Sequence, residues 1–348
     1  MHVERHLSIT PLLDEWAELH AADDRATPYG SAAWARASVA HEADAAEPWC
    51  LTARDDDGRL IGLMALARRR RHMMRILRPL GDEHADCWDV LARPEARAAV
   101  ERRLAEELRR RSGEWDALVL THLTHGATLA GALPGARLHT RGHEGLPHPH
   151  VALPETFDAY LGRFTSERRR RMRKHLQPLD RGRVTVRVVA PPEIPDGVAR
   201  LLELRRRQWE VAGKALLPAL AEDRFRRFLT DVASALVPAG AATMVEYSVE
   251  GEPYAIYLDF LGPRAFHGFM GGFEPAHARL EPGKLHILAS IRSSIEAGRE
   301  WANLGRGGED YKQWFRPEPF VSTSVAVTSG RLRSRAALVA GALAGRLR

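Results

Sequence analysis

The sequence predicts an α/β (α+β) chain of two lobes, each a mixed, mainly antiparallel sheet flanked by helices. Three observations predict it. The chain has 348 residues, enough for two separate cores. Hydrophobic residues make up 45% of it, too many for a disordered chain. One order of elements (hairpin, third strand, loop, helix, strand) occurs twice, and that order builds mixed sheets with helices on their faces. The repetition is one of structural grammar and not of residues, so a single irregular α+β domain is the alternative. The lobes are expected at 1–150 and 151–330, followed by a basic tail at 331–348.

In the first half, Leu12, Leu13, Trp16 and Leu19 recur at helical spacing. Trp49–Arg54 and Arg59–Ala67 flank an Asp-Asp-Asp-Gly turn and read as a hairpin. Met73–Leu80 reads as a third strand, Pro94–Arg111 as a charged helix and Ala117–His122 as a buried-type strand. In the second half, Phe157–Leu179 is helical and very basic, and Val184–Val189 is a strand. Two helices follow, near Asp196–Val211 and Glu222–Val237. The second hairpin is Thr243–Val249 and Tyr254–Leu261 across Glu250-Gly251, and Ala265–Phe269 is its third strand. A helix starts at Pro282-Gly283 and stops at Gly298, and strands follow at Trp301–Leu304 and Val321–Thr328.

Composition narrows the function classes. Cys50 and Cys87 form no spaced framework, which fits a reducing cytoplasm. No stretch approaches the roughly 20 apolar residues of a membrane span. The net charge of +6, carried mostly by arginine, points to an anionic partner. DNA is not that partner, since helix-turn-helix spacing and zinc-finger motifs are missing. Walker A, G-x-S-x-G and strand-linked G-x-G-x-x-G motifs are missing as well. Six histidines between His122 and His150 raise a metal reading, but they form no HExxH pair and no cysteine knuckle, so no metal is expected.

The segment Phe266–Leu288 most resembles a binding site. An apolar strand runs into Gly271 and Gly272, and a loop then feeds a helix whose first turn holds Pro282, Gly283 and Lys284. Orphan amides and the helix dipole at such a start attract phosphate. Gly283 presents no side chain there, and Arg279 and Lys284 add positive charge. Leu285, Leu288, Ile291 and Ile295 mark the buried face. An ordinary helix start carries the same residues and is the competing reading.

Four motifs carry a family resemblance. They are Gly272-Phe273-Glu274-Pro275, then Ala278 through Pro282-Gly283-Lys284-Leu285, then Ile295-Glu296-Ala297-Gly298, then Gly307-Gly308-Glu309-Asp310-Tyr311-Lys312-Gln313-Trp314. Together they resemble the duplicated branch of the GNAT superfamily, the CelD-type acetyltransferase-like proteins, which is related to the Fem aminoacyltransferases. The resemblance implies two GNAT-like lobes, a degenerate first lobe on the acceptor side, and donor binding and catalysis in the second. It implies acyl-CoA as co-substrate, or aminoacyl-tRNA, without a metal, and transfer to a small-molecule or carrier-linked amine; a non-catalytic degenerate GNAT pair that binds RNA or a phosphorylated envelope compound is the alternative.

The chemistry needs a positioned donor carbonyl, a neutral amine and support for the oxyanion. By the same resemblance Tyr311-Lys312 matches a functional aromatic–lysine pair. Lys312 would set its ammonium beside the carbonyl oxygen or the leaving group. Asp310 or Glu309 would take the amine proton, and Asp259, polar within the apolar run Ile256–Leu261, is a further candidate base. Glu246 is read as facing solvent. The run Arg168 to His175 holds six positive charges in eight residues. It reads as a solvated helix face or as a grip on acceptor phosphate or tRNA, and the resemblance to the Fem relatives implies Arg169 and Arg173 as acceptor-binding candidates. Neither the acceptor nor the oligomeric state is legible.

Overall fold

The computed structural model describes residues 1–41, 46–71, 73–124, 127–133, 139–213, 222–318 and 321–329. The basic tail at 331–348 lies outside them. The chain forms two compact units, one of residues 1–146 with 321–348, the other of residues 147–320.

In the first unit the strands are β1 (His2–His6), β2 (Glu47–Arg54), β3 (Leu60–Arg71), β4 (Met74–Pro79), β5 (Leu91–Ala92), β6 (Ala117–Leu123) and β7 (His139–Pro147). Its helices are α1 (Leu13–Ala22), α2 (Ala32–His41), α3 (Arg97–Arg110) and the single turn α4 (Leu129–Ala132). The β2–β3 turn forms as its sequence demands. Gly58 takes φ 81°, and Asp55 accepts the amides of Asp57 and Arg59. Trp49, Trp115, Leu104 and Leu108 fill one face of the sheet, and Trp16 and Leu19 of α1 lie on the other.

The second unit holds β8 (His150–Ala152), β9 (Val184–Val188), β10 (Ala242–Val249), β11 (Glu252–Leu261), β12 (Ala265–Phe273) and β13 (Trp301–Asn303). Its helices are α5 (Phe157–Gly162), α6 (Ser166–Asp180), α7 (Ile194–Val211), α8 (Asp223–Leu236) and α9 (Pro282–Glu296). Glu250 and Gly251 both take positive φ, 53° and 82°, which matches the twist of a two-residue hairpin turn. Leu285, Leu288, Ile291 and Ile295 of α9 are buried on one face of the sheet, as their spacing predicts. On the other face α7 lies so close that a Cβ at Gly197 would meet Met244 Sδ at 2.6 Å.

The last strand, β14 (Val321–Thr328), departs from the expected division at 330. It pairs antiparallel with β6 and belongs to the first unit's sheet, where Val325 and Val327 enter the core. The first sheet therefore reads β1-β2-β3-β4-β6-β14-β7, and the second reads β8-β13-β12-β11-β10-β9. In each, a hairpin leads to a third strand that pairs in parallel with a fourth, β4 with β6 and β12 with β13. In each, an antiparallel strand from elsewhere in the chain completes the fourth. This is the duplication, and it lives in pairing and not in sequence.

Glu246 also departs from expectation. It is buried on β10 and bonded by Arg187 of β9 and Arg200 of α7. Its strand face is covered by α7, and two guanidinium groups make burial of the carboxylate tolerable.

Candidate active site

The site is set by how β12 is paired. β12 runs beside β11 for its whole length, but it meets β13 only through Ala265–His267 against Trp301–Asn303. Past that point no strand among the described residues covers its second edge. A bulge falls there, since Asp259 faces Gly268 and Leu258 faces Met270. Bulges of this kind re-aim side chains and often adjoin active sites.

The chain after β13 turns back onto this edge. Asn303 Oδ1 accepts the amide of Gly305 at 2.9 Å, and Gly305 takes φ 78°. A Cβ at Gly305 would stand 2.8 Å from the carbonyl oxygen of Gly268, so only glycine lets the loop lie against the strand. Lys312, 3% exposed, holds the loop from inside. Its Nζ donates to the carbonyls of Gly305 and Arg306 at 3.1 Å and of Gly307 at 3.3 Å, and stands 2.8 Å from Glu309 Oε2. Three ammonium protons face four acceptors, so none is left for a substrate. Lys312 is a loop-organising residue here, which corrects its expected place beside the donor carbonyl. The loop's carbonyls turn inward without strand partners, and a buried cation satisfies them.

Around Lys312 the other candidates separate. Burial works against the Glu309 carboxylate, but the bond and charge of Lys312 hold it below the usual range. Tyr311 is partly exposed, and its hydroxyl is pushed up to about 12 by burial and by the charge of Glu309. Asp310 is exposed at the start of the turn Asp310–Phe315. Asp259 lies in the core, with Oδ2 2.9 Å from His286 Nε2, out of line for a hydrogen bond. His286 Nδ1 meets the Tyr247 hydroxyl at 3.2 Å, and the Tyr257 ring stacks on its imidazole at 3.8 Å. Asp259 thus belongs to a buried cluster and does not face the edge as a free base. His286 went unread in the sequence, although a histidine inside the apolar stripe of α9 was the visible signal.

Gly271 and Gly272 lie within β12 and not in a loop beyond it. A Cβ at Gly271 would stand 2.2 Å from the Tyr257 ring, and one at Gly272 would stand 2.8 Å from Leu201 O and Leu204 Cβ of α7. Their smallness serves packing on the two faces, which corrects their expected role against a phosphate. Gly271→Ala is expected to cost about 1–3 kcal/mol, because Tyr257 is trapped against His286. Urea unfolding checks this, with the Tyr257→Ala background expected to remove most of the cost.

The start of α9 is open where the sequence requires it. Beyond its chain neighbours and the helix's own backbone, no atom stands within 4 Å of a Cβ built on Gly283. Pro282 has no N–H, and the Gly283 amide is an orphan of the first turn. Glu281, at φ 48°, caps the helix, bonded by Lys284 and 3.5 Å from His175 Nε2. Lys284 lies over the Trp314 ring at 5.5 Å, and His175 of α6 lies 5.5 Å from the same ring. Arg279 is exposed on the turn just before α9. On α6, Arg169 is half-buried, and Arg173 is exposed and bonded to Asp158 at 3.1 Å. The structure thus brings Gly283, Lys284, Trp314 and the flank of α6 together, and leaves Lys312 Nζ and Asp259 outside that group.

Among the described residues, no group of three or more His, Cys, Asp or Glu could hold a metal ion. His125 and the side chains of His139 and His143 lie outside the described residues. His267, at the end of the β12–β13 ladder, is pushed down to about 3 by burial and by His150. A depressed folded value means its stability contribution is present above about pH 6.5 and is lost as pH falls toward about 3. At about pH 5 the loss is of the order of 2 kcal/mol. The gap in urea midpoint between His267→Leu and the parent chain is expected to close as pH falls through this window.

Two sheets with the same pairing plan, each flanked by helices, define a duplicated GNAT-like fold. Residues 166–313 match the family model described as an acetyltransferase (GNAT) domain. FemX is similar to the chain with a TM-score of 0.70 at 10% identity, covering 97% of this chain and 99% of that one. A crystallised C-terminal domain assigned to a lysylphosphatidylglycerol synthetase of Agrobacterium fabrum has a TM-score of 0.57 at 12% identity, covering 98% and 99%. L-PGS from Bacillus licheniformis has a TM-score of 0.51 at 12% identity, covering 88% and 94%. These are likenesses of fold. No curated protein matches the chain.

Proposed function

We propose that the chain is an N-acyltransferase that seats a phosphate-bearing acyl donor on the start of α9 and passes the acyl group to an amine at the bare edge of β12. The observation that carries this reading is the open position at Gly283 in the first turn, with Lys284 beside it and, among the described residues, an uncovered strand edge in the same unit. Orphan amides and the helix dipole favour the phosphate, and positioning supplies most of the acceleration. Glu309, ionised and half exposed, is the carboxylate suited to take the amine proton through a water. The cations of α6, half-buried Arg169 and exposed Arg173 among them, would draw in an anionic acceptor or carrier.

Acyl-CoA is the first donor in this reading. One observation favours a second, aminoacyl-tRNA. An acyl-CoA thioester ends a long, amide-bearing arm that needs an extended slot, yet Gly305 and Arg205 already lie against β12 at Gly268 and Gly271. An ester on a nucleotide 3′ end needs no such slot. The Fem and lysylphosphatidylglycerol synthetase likenesses of fold are compatible with that donor. Among the described residues no helix is long and apolar enough to cross a membrane. Calorimetric titration with acetyl-CoA and longer acyl-CoAs tests the first donor, and silence with all of them removes it. A transfer assay with charged tRNA tests the second, and failure of both removes the transferase reading.

A further inference from the structure

We propose that Arg205 and Tyr257 form a polar niche at the bare edge of β12 that holds the carboxylate of the amine acceptor, so that acceptors are amino-acid-like. The inference rests on the transfer reading above and names its substrate class.

Three arginines follow one another on α7, and the helix separates them. Arg206 and Arg207 point outward, each bonded to Glu203. Arg205 turns the other way, toward the sheet. Its Nη1 donates to the carbonyl of Gly271 at 3.3 Å, and its guanidinium lies 5.5 Å over the Trp209 ring. Its Nε is buried and has no hydrogen-bond partner. Burial pushes this guanidinium below its ordinary range, and of its electrostatic neighbours Tyr311, Glu309 and Tyr257 only Glu309 is an anion near neutral pH. Of these, Glu309 is committed to Lys312. A partly buried guanidinium with a buried, unbonded Nε and no carboxylate bonded to it suits an incoming anion.

Tyr257 reaches the niche from the opposite face of the sheet. Its ring crosses the glycine position at 271 and is fixed against His286. It is 7% exposed, and its hydroxyl is buried without a hydrogen-bond partner. A planar guanidinium fork and a hydroxyl donor on one edge suit a carboxylate. Under the transfer reading the donor's phosphate has its own seat at Gly283, which leaves this niche to the acceptor.

The test titrates the full chain calorimetrically with free amino acids and with the same amino acids as primary amides. Acids are expected to bind roughly tenfold or more tightly than their amides. Arg205→Gln should abolish that preference, and Tyr257→Phe, which keeps the ring packing, should reduce it. Circular dichroism checks that both variants fold. Equal binding of acids and amides, no binding of either, or a preference that survives Arg205→Gln overturns the inference. So does an Arg205→Gln variant that loses acetyl-CoA and keeps the amino acids, which would assign the niche to the donor. Acyl transfer without acid preference removes the niche and spares the transferase reading. Acid preference without transfer does the reverse.

Discussion

Replacing Lys312 with methionine is expected to lower the stability of the second unit by about 3 kcal/mol, with loss of turnover as a consequence. The methionine keeps the apolar stem and removes the ammonium. Three carbonyls, of Gly305, Arg306 and Gly307, then lose their donor, and Glu309 loses its cation. Glu309 is half exposed and can turn to water, so the cost lies mainly in the carbonyls. The loop that lies on β12 at Gly268 loosens, and the edge of β12 loses its boundary. Urea unfolding followed by tryptophan emission measures the first effect. A lysine that acted only on the substrate would give the opposite pattern, lost turnover with the unfolding midpoint unchanged.

The contrast shows what a sequence carries and what it does not. The hairpins were legible because each rests on a local device, Gly58 in one and Glu250-Gly251 in the other. The buried stripe of α9 was legible because periodicity alone defines it. The short strand β8 and the return of β14 to the first sheet were not, because pairing between distant segments leaves no local mark. Gly271 and Gly272 read as a loop because glycine in a sequence signals a turn more often than close packing, and here helices and Tyr257 crowd the strand. Lys312 was found as a residue but not in its direction, which the backbone of residues 305–307 decides. Arg205 was hidden among three adjacent arginines, and only helix rotation sets it apart.

The second large effect concerns Gly283, and in it fold and function pull in opposite directions. Gly283→Glu places a carboxylate in the first turn of α9. A Cβ there meets no atom within 4 Å beyond its chain neighbours and the helix's own backbone, so the position has room for it. Removing a helical glycine stabilises by roughly 0.5–1 kcal/mol, and an acid near a helix start adds about 0.3–1 kcal/mol. The melting temperature is therefore expected to hold or rise. The same carboxylate occupies the orphan amide and repels phosphate at close range, so donor affinity is expected to fall by roughly a hundredfold.

Calorimetric titration of the parent chain and Gly283→Glu, with acetyl-CoA and with charged tRNA, therefore bears most directly on the central claim. The claim predicts that one of these donors binds the parent chain and that the more stable variant loses it. Undiminished donor binding by Gly283→Glu would contradict the claim that the start of α9 grips the donor.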